Sequence, residues 1–131
     1  MGTLKYLIDS NTIIDYISGK LPEDKEIWLD SLIDEAVAVS TINKLEVLVG
    51  YKFKNIKEII PFEELINSVT VFPLNEAVEN KTIEIRKTIH LKLPDAIIAA
   101  TALIYNLEII TRNVKDFSRV SGLRIINPYE V

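Results

Sequence analysis

Residues 93–111 read LPDAIIAATALIYNLEIIT, and two patterns within them decide the fold. Pro94 followed by the apolar run 96–105 predicts a buried helix that starts at the proline. LEIIT (107–111) is short and apolar, which predicts a strand buried on both faces. One residue breaks the pattern. Asp95, in the first turn, shares its helical face with Ile98, Ala99 and Ala102, so the acid points where the core residues point. An unpaired carboxylate there is costly unless it is protonated, salt-bridged or bound to a cation.

Working outward, the same alternation recurs. KYLID (5–9) predicts a strand ending in an acid, followed by a helix over NTIIDYISG that Gly19 closes. Residues 26–36 predict an amphipathic helix with Ile27, Leu29, Leu32 and Ile33 on its apolar side, and VAVS (37–40) a second strand. TINKLEVLVGYKF (41–53) predicts a helix capped by Ser40 or Thr41, with Ile42, Leu45, Val49 and Phe53 at helical spacing. Pro61 is expected to open a short helix over FEELINS, before a strand at VTVF (69–72) and a long charged helix from Asn75 to about His90. After LEIIT come a loop, RNVKDF, and a fifth strand, RIIN (124–127). Uniformly apolar strands alternating with helices predict an α/β fold: a mostly parallel sheet of four to five strands covered on both faces, in one domain over 1–131.

The totals narrow the chemistry. The chain has 131 residues, 48% of them hydrophobic, enough for a core without staples. It contains no cysteine, which excludes disulfides, thiolate metal sites and a cysteine nucleophile, and it has one histidine, His90, which excludes multi-histidine zinc sites. His90, among lysines at a helix end, reads as a surface position. No apolar stretch approaches the ~18 residues of a membrane span, and MGTLKYLID leads straight into a strand, so a soluble cytoplasmic protein is expected. The formal net charge of -4 argues weakly against nucleic acid. Distribution matters more, and basic residues gather at Lys52, Lys54 and Lys57 and at Arg112, Lys115, Arg119 and Arg124.

Asp95 is not the only misplaced acid. Asp9 closes the first strand, and ligands of parallel α/β sheets bind beyond the carboxyl ends of strands. Glu46 shares a helical stripe with Ile42, Val49 and Phe53 and so faces inward. Asp116 follows the fourth strand by five residues, in a loop with Thr111 and Asn113. Each acid alone has an ordinary explanation as a helix cap, an N-terminal charge or an ion pair. Several converging on one edge would repel one another unless a cation lay between them, and oxygen-only ligation selects Mg2+ or Mn2+ over zinc or copper. Such a site suits phosphodiester hydrolysis without a side-chain nucleophile.

LIDSNTIIDYI, STINKLEVLVG and LKLPDAIIAATALIYNLEIITRNVKDFSRVSGLRIINP together resemble the three motif blocks of PIN-domain proteins, in particular the VapC-like ribonuclease toxins of type II toxin-antitoxin pairs. The resemblance spans the chain. It implies a three-layer α/β/α fold, an Mg2+- or Mn2+-dependent endoribonuclease site that hydrolyses RNA with a metal-activated water, homodimerisation, and inhibition by a VapB-type antitoxin. Asp9, Glu46 and Asp95 match the family's three invariant acids. Asp116 matches a fourth, which some relatives place instead where this chain has Asn113, so either residue could complete the site. Asn11, Thr12 and Thr111 match small polar residues expected to orient ligands or water. Arg86 and Arg112 resemble basic residues near the groove that could meet RNA phosphate.

Two other readings compete. A catalytically silent module could use the acidic cluster to dock a basic partner segment. A receiver-like phosphoacceptor domain would need a lysine near the end of a late strand, and none is evident.

Overall fold

The computed structural model describes residues 3–50 and 52–131. Five strands, β1 (Tyr6–Ile8), β2 (Val37–Ser40), β3 (Thr70–Phe72), β4 (Glu108–Ile110) and β5 (Ile125–Ile126), form one wholly parallel sheet in the order β3-β2-β1-β4-β5. Among the described residues, seven α-helices flank it: α1 (Ser10–Ile17), α2 (Glu23–Ile33), α3 (Thr41–Leu45), α4 (Ile56–Ser68), α5 (Glu76–Thr88), α6 (Leu93–Ile104) and α7 (Val114–Phe117). The expected three-layer α/β/α architecture is the one observed.

The two-residue period of the strands divides the core. Leu7, Ala38 and Ile109 face one layer, where they pack with Val78 and Ile85 of α5, Ile98 and Ala102 of α6, and Phe117 of α7. Their neighbours Ile8, Val37, Val39 and Ile110 face the other, against Ile13 of α1, Leu29 and Ile33 of α2, and Phe62 and Leu65 of α4. On α6, Ala96–Ala102 are all buried, because alanines let the helix lie close against the sheet.

Three helices differ from the sequence expectation. The segment 41–53 is not one α-helix: α3 ends at Leu45 and passes into a π-helical turn, Glu46–Gly50. The wider turn breaks the three-four spacing. Leu45 and Val49 therefore lie 49% and 77% exposed, while Asn43 and Val47 are buried. Pro61 does not open a helix but lies inside α4, whose start is set upstream by Asn55, its side chain accepting from the Lys57 N–H at 3.0 Å. Helix α2 begins three residues earlier than expected, and its buried stripe is Leu29 and Ile33, with Ile27 exposed. The loop after β4 contains the short α7, and His90 is exposed beyond the end of α5.

Candidate functional site

β1 and β4 are neighbours in the sheet although β2 and β3 lie between them in the chain. The strand order reverses there, which opens a crevice beyond the carboxyl ends of the two strands. Ile8 pairs with Ile110, so the residues that follow them, Asp9 and Thr111, meet at that crevice. The Thr111 hydroxyl donates to Asp9 Oδ2 at 2.8 Å.

Asp9 is also the N-cap of α1, its Oδ1 accepting from the Ser10 N–H at 2.9 Å. Asn11 Nδ2 donates to Oδ2 at 3.1 Å, and Asn43 Nδ2 reaches Oδ1 at 3.4 Å. Each carboxylate oxygen thus has two donors, all of them neutral. Glu46, the first residue of the π-helical turn, comes to the same place through Ser10, whose hydroxyl donates to Glu46 Oε1 at 2.7 Å. Asp95, in the first turn of α6, and Asp116, on α7, are half-buried at this edge.

The electrostatics are those of a cluster. Burial pushes the Asp9 carboxyl up to about 6, against the downward pull of the Thr111 and Ser10 hydrogen bonds, and the charges of Asp95 and Glu46 add to the rise. Asp95 is raised by burial and then by Glu46 and Asp116, with Lys92 opposing. Among the described residues, no ion pair involves Asp9, Glu46 or Asp95, whereas Asp116 pairs with Arg119 at 3.7 Å.

The other residues singled out in the sequence have definite places. Thr12 is buried, its single hydroxyl proton shared between Asn11 Oδ1 (3.1 Å) and the Ile110 carbonyl (3.2 Å), tying α1 to β4 rather than touching an acid. Asn113 contributes its backbone N–H to Thr111 Oγ1 at 3.0 Å. Arg112 forms an ion pair through Nε with Asp15 Oδ2 at 2.7 Å and donates its backbone N–H to Asn11 Oδ1 at 3.2 Å; its side chain is half exposed. Arg86 has a structural contact, Nε to the Leu91 carbonyl at 3.0 Å, which braces the α5–α6 connection. The cation that acts on Asp95 is Lys92.

Sequence reading missed three residues. Ser10 and Asn43 link Asp9 to Glu46, yet each looks like an ordinary polar residue at a helix start. Asn43 stands three residues after Ser40, and that capping-box spacing was the available signal. Asp15 is 2% exposed and bound by both Arg112 and the Tyr129 hydroxyl (2.8 Å). Its spacing from Thr12 and Asn11 put it on their face of α1.

A cleft of about 520 Å³ opens elsewhere, at the amino ends of β2 and β3 between Leu4, Ile33, Val37 and Val69. It holds none of the clustered acids.

Could the acid edge take a metal? Among the described residues, no three His, Cys, Asp or Glu side chains form a ready-made cage. A hydrated hard cation needs less, since Mg2+ keeps several waters and is held through one or two carboxylates together with substrate phosphates. The donor set is oxygen only, and Asp9 is a buried acid among acids with neutral donors around it. Those residues fit a hydrated divalent cation.

A parallel sheet with acids gathered at its switch point defines a class of α/β proteins with an acidic edge at the carboxyl ends of the strands. Residues 6–123 match the family model described as PIN domain, and the chain belongs to that family. Its likeness to VapC chains runs nearly end to end. It is 32% identical over 130 residues to a protein of Rickettsia bellii (strain RML369-C) named Ribonuclease VapC, covering 92% of this chain and 93% of that one. Among solved structures it resembles a chain of a toxin-antitoxin complex from Klebsiella pneumoniae, with 31% identity, a TM-score of 0.77 and coverage of 97% and 100%. It also resembles a chain of DNA-bound VapBC from Salmonella typhimurium, with 25% identity, a TM-score of 0.83 and coverage of 95% and 98%. No described helix is long and apolar enough to cross a membrane.

Proposed function

We propose that this chain is a divalent-metal-dependent endoribonuclease and the toxin of a toxin-antitoxin pair, acting in the cytoplasm as a single-domain subunit of a homodimer. The observation that carries the reading is Asp9: a buried carboxylate at the sheet's switch point, raised toward neutrality, with acidic rather than basic neighbours. Asp9, Glu46, Asp95 and Asp116 would hold Mg2+ or Mn2+. When bound, the ion supplies positive charge against phosphate oxygens and lowers the pKa of water.

The chain's own residues prepare the site. Thr111, Asn11 and the Ser10 N–H fix the Asp9 carboxylate in one orientation, so that no reorganisation is needed when charge arrives. Asp15 anchors Arg112 through an ion pair at Nε, and the half-exposed guanidinium would meet an RNA phosphate. Such a contact positions a strand without reading its bases. Unstacked loops and single strands suit a narrow acidic edge better than a duplex does.

Partnership follows from the relatives, whose solved forms are described as toxin-antitoxin and VapBC complexes. A VapB-type antitoxin would silence the chain, and a basic segment laid among the acids is one way to do it. That docking use on its own is the second reading, favoured by Asp9, Glu46 and Asp95 having no cationic partner in an ion pair among the described residues.

The deciding experiment uses purified chain, free of partner, with a structured RNA. Mn2+ should switch on cleavage, a chelator should stop it, and Asp95→Asn should fold normally and not cut. RNA cut equally well by Asp95→Asn would count against the assignment. A wild-type chain inert with Mn2+ would favour the docking module.

A further inference from the structure

We propose that Ser10 and Asn43 form a positioning relay that fixes Glu46 beside Asp9; the inference deepens the metal-site reading above and rests on it. Glu46 needs such a device. It stands at the junction of α3 and a π-helical turn, and no cation among the described residues pairs with it. A glutamate side chain left to itself samples many rotamers.

Its anchor is the Ser10 hydroxyl, which has one proton to give and gives it to Glu46 Oε1 at 2.7 Å. Asn43 directs that proton. Its Nδ2 donates to Ser10 Oγ at 3.1 Å, so Ser10 accepts on that side and its own O–H turns away toward Glu46. The Asn43 amide cannot flip without breaking its other contacts. Oδ1 accepts from the Ser40 N–H and the Ser40 hydroxyl, both at 3.0 Å, and the Asn43 N–H donates back to Ser40 Oγ at 3.1 Å.

The capping box therefore sets the polarity of the whole chain of bonds, Ser40 to Asn43 to Ser10 to Glu46. Glutamine or glutamate is the usual third residue of such a box. A glutamate could not donate to Ser10, and a glutamine is a methylene longer. Asparagine has both the reach and the donor. Asn43 is fully buried, and its Nδ2 also extends toward Asp9 Oδ1 at 3.4 Å, so one amide addresses both acids. Asn43 and Glu46 are three residues apart and share a face, which is why a helix cap can govern an acid one turn on.

The test compares Ser10→Ala, Ser10→Thr and Asn43→Ala with the wild type, reading Mn2+ affinity of the RNA-free chain by electron paramagnetic resonance and folding by thermal melting. Ser10→Ala and Asn43→Ala should each weaken Mn2+ about tenfold, while Ser10→Thr, which keeps the hydroxyl, stays within about twofold. Wild-type affinity in Ser10→Ala, or equal losses in Ser10→Thr and Ser10→Ala, would overturn the relay. A crystal structure of Ser10→Ala adds a readout independent of metal: Glu46 should leave its place beside residue 10, and an unmoved Glu46 refutes the proposal. If the wild-type chain takes up no Mn2+, the metal reading fails, and that structure alone decides the relay. Asn43→Ala carries weight only if it melts as a folded protein; the Ser10 pair decides otherwise.

Discussion

Asp9 and Asp15 lie six residues apart at the start and in the body of α1, both almost wholly buried at 5% and 2% exposure, and they are treated in opposite ways. Asp15 has a cation at 2.7 Å and a phenol at 2.8 Å, a closed arrangement with the charge matched from within. Asp9 has four neutral donors and acidic neighbours, and its carboxyl climbs to about 6. The fold had an arginine within reach of the same helix and used it on Asp15. A buried acid with an internal cation is architecture, whereas a buried acid among acids leaves room for a charge from outside.

That contrast can be broken by exchanging its terms. Asp9→Asn should lower Mn2+-dependent RNA cleavage at least about a hundredfold without lowering stability at pH 8. The matching change, Arg112→Ala, should act the other way round, costing about 2–4 kcal/mol in chemical denaturation because Asp15 is left buried without its cation. If Arg112→Ala leaves stability untouched, the ion pair is not architectural.

An effect of similar size appears in the pH profile of the metal-free chain. The folded pKa of Asp9 is raised above the ordinary 3.8, so the fold prefers the protonated acid. That contribution is complete below about pH 4 and is lost as the pH rises through about 6, with Asp95 shifted in the same direction. The chain should lose roughly 3 kcal/mol of stability from this source between about pH 4 and 8. Calorimetry of Asp9→Asn should show most of that slope gone; an unchanged slope would mean another group causes it. Smallest of all, Tyr129→Phe removes one neutral hydrogen bond to Asp15 and should cost about 1 kcal/mol, with cleavage unaltered.

Much of this was legible in the sequence, for reasons particular residues make plain. The layers follow from strands such as VAVS and LEIIT, whose neighbouring residues must be apolar because both faces are covered. The strand order does not follow, since periodicity carries no information about which strands pair. Asp9 and Asp95 announced themselves as acids in apolar places. Glu46 was reached through a stripe of Ile42, Val49 and Phe53 that a π-helical turn interrupts: Val49 faces solvent, and the turn sets the direction of the acid. Nothing in a three-four count foresees that turn. The relay residues were silent because Ser10 and Asn43 belong to helix starts, where polar residues are ordinary. Asp15 was silent because an eight-residue helix shows too little period to mark one acid as buried.

The most direct test is a thermal melt of the wild-type chain, Asp9→Asn and Arg112→Ala at pH 7.5, each with Mn2+ and with chelator. Mn2+ should raise the melting temperature of the wild type and of Arg112→Ala and leave Asp9→Asn unmoved, because the ion supplies the charge Asp9 lacks and Asp15 already has. Equal responses in wild type and Asp9→Asn, or none in the wild type, would contradict the account.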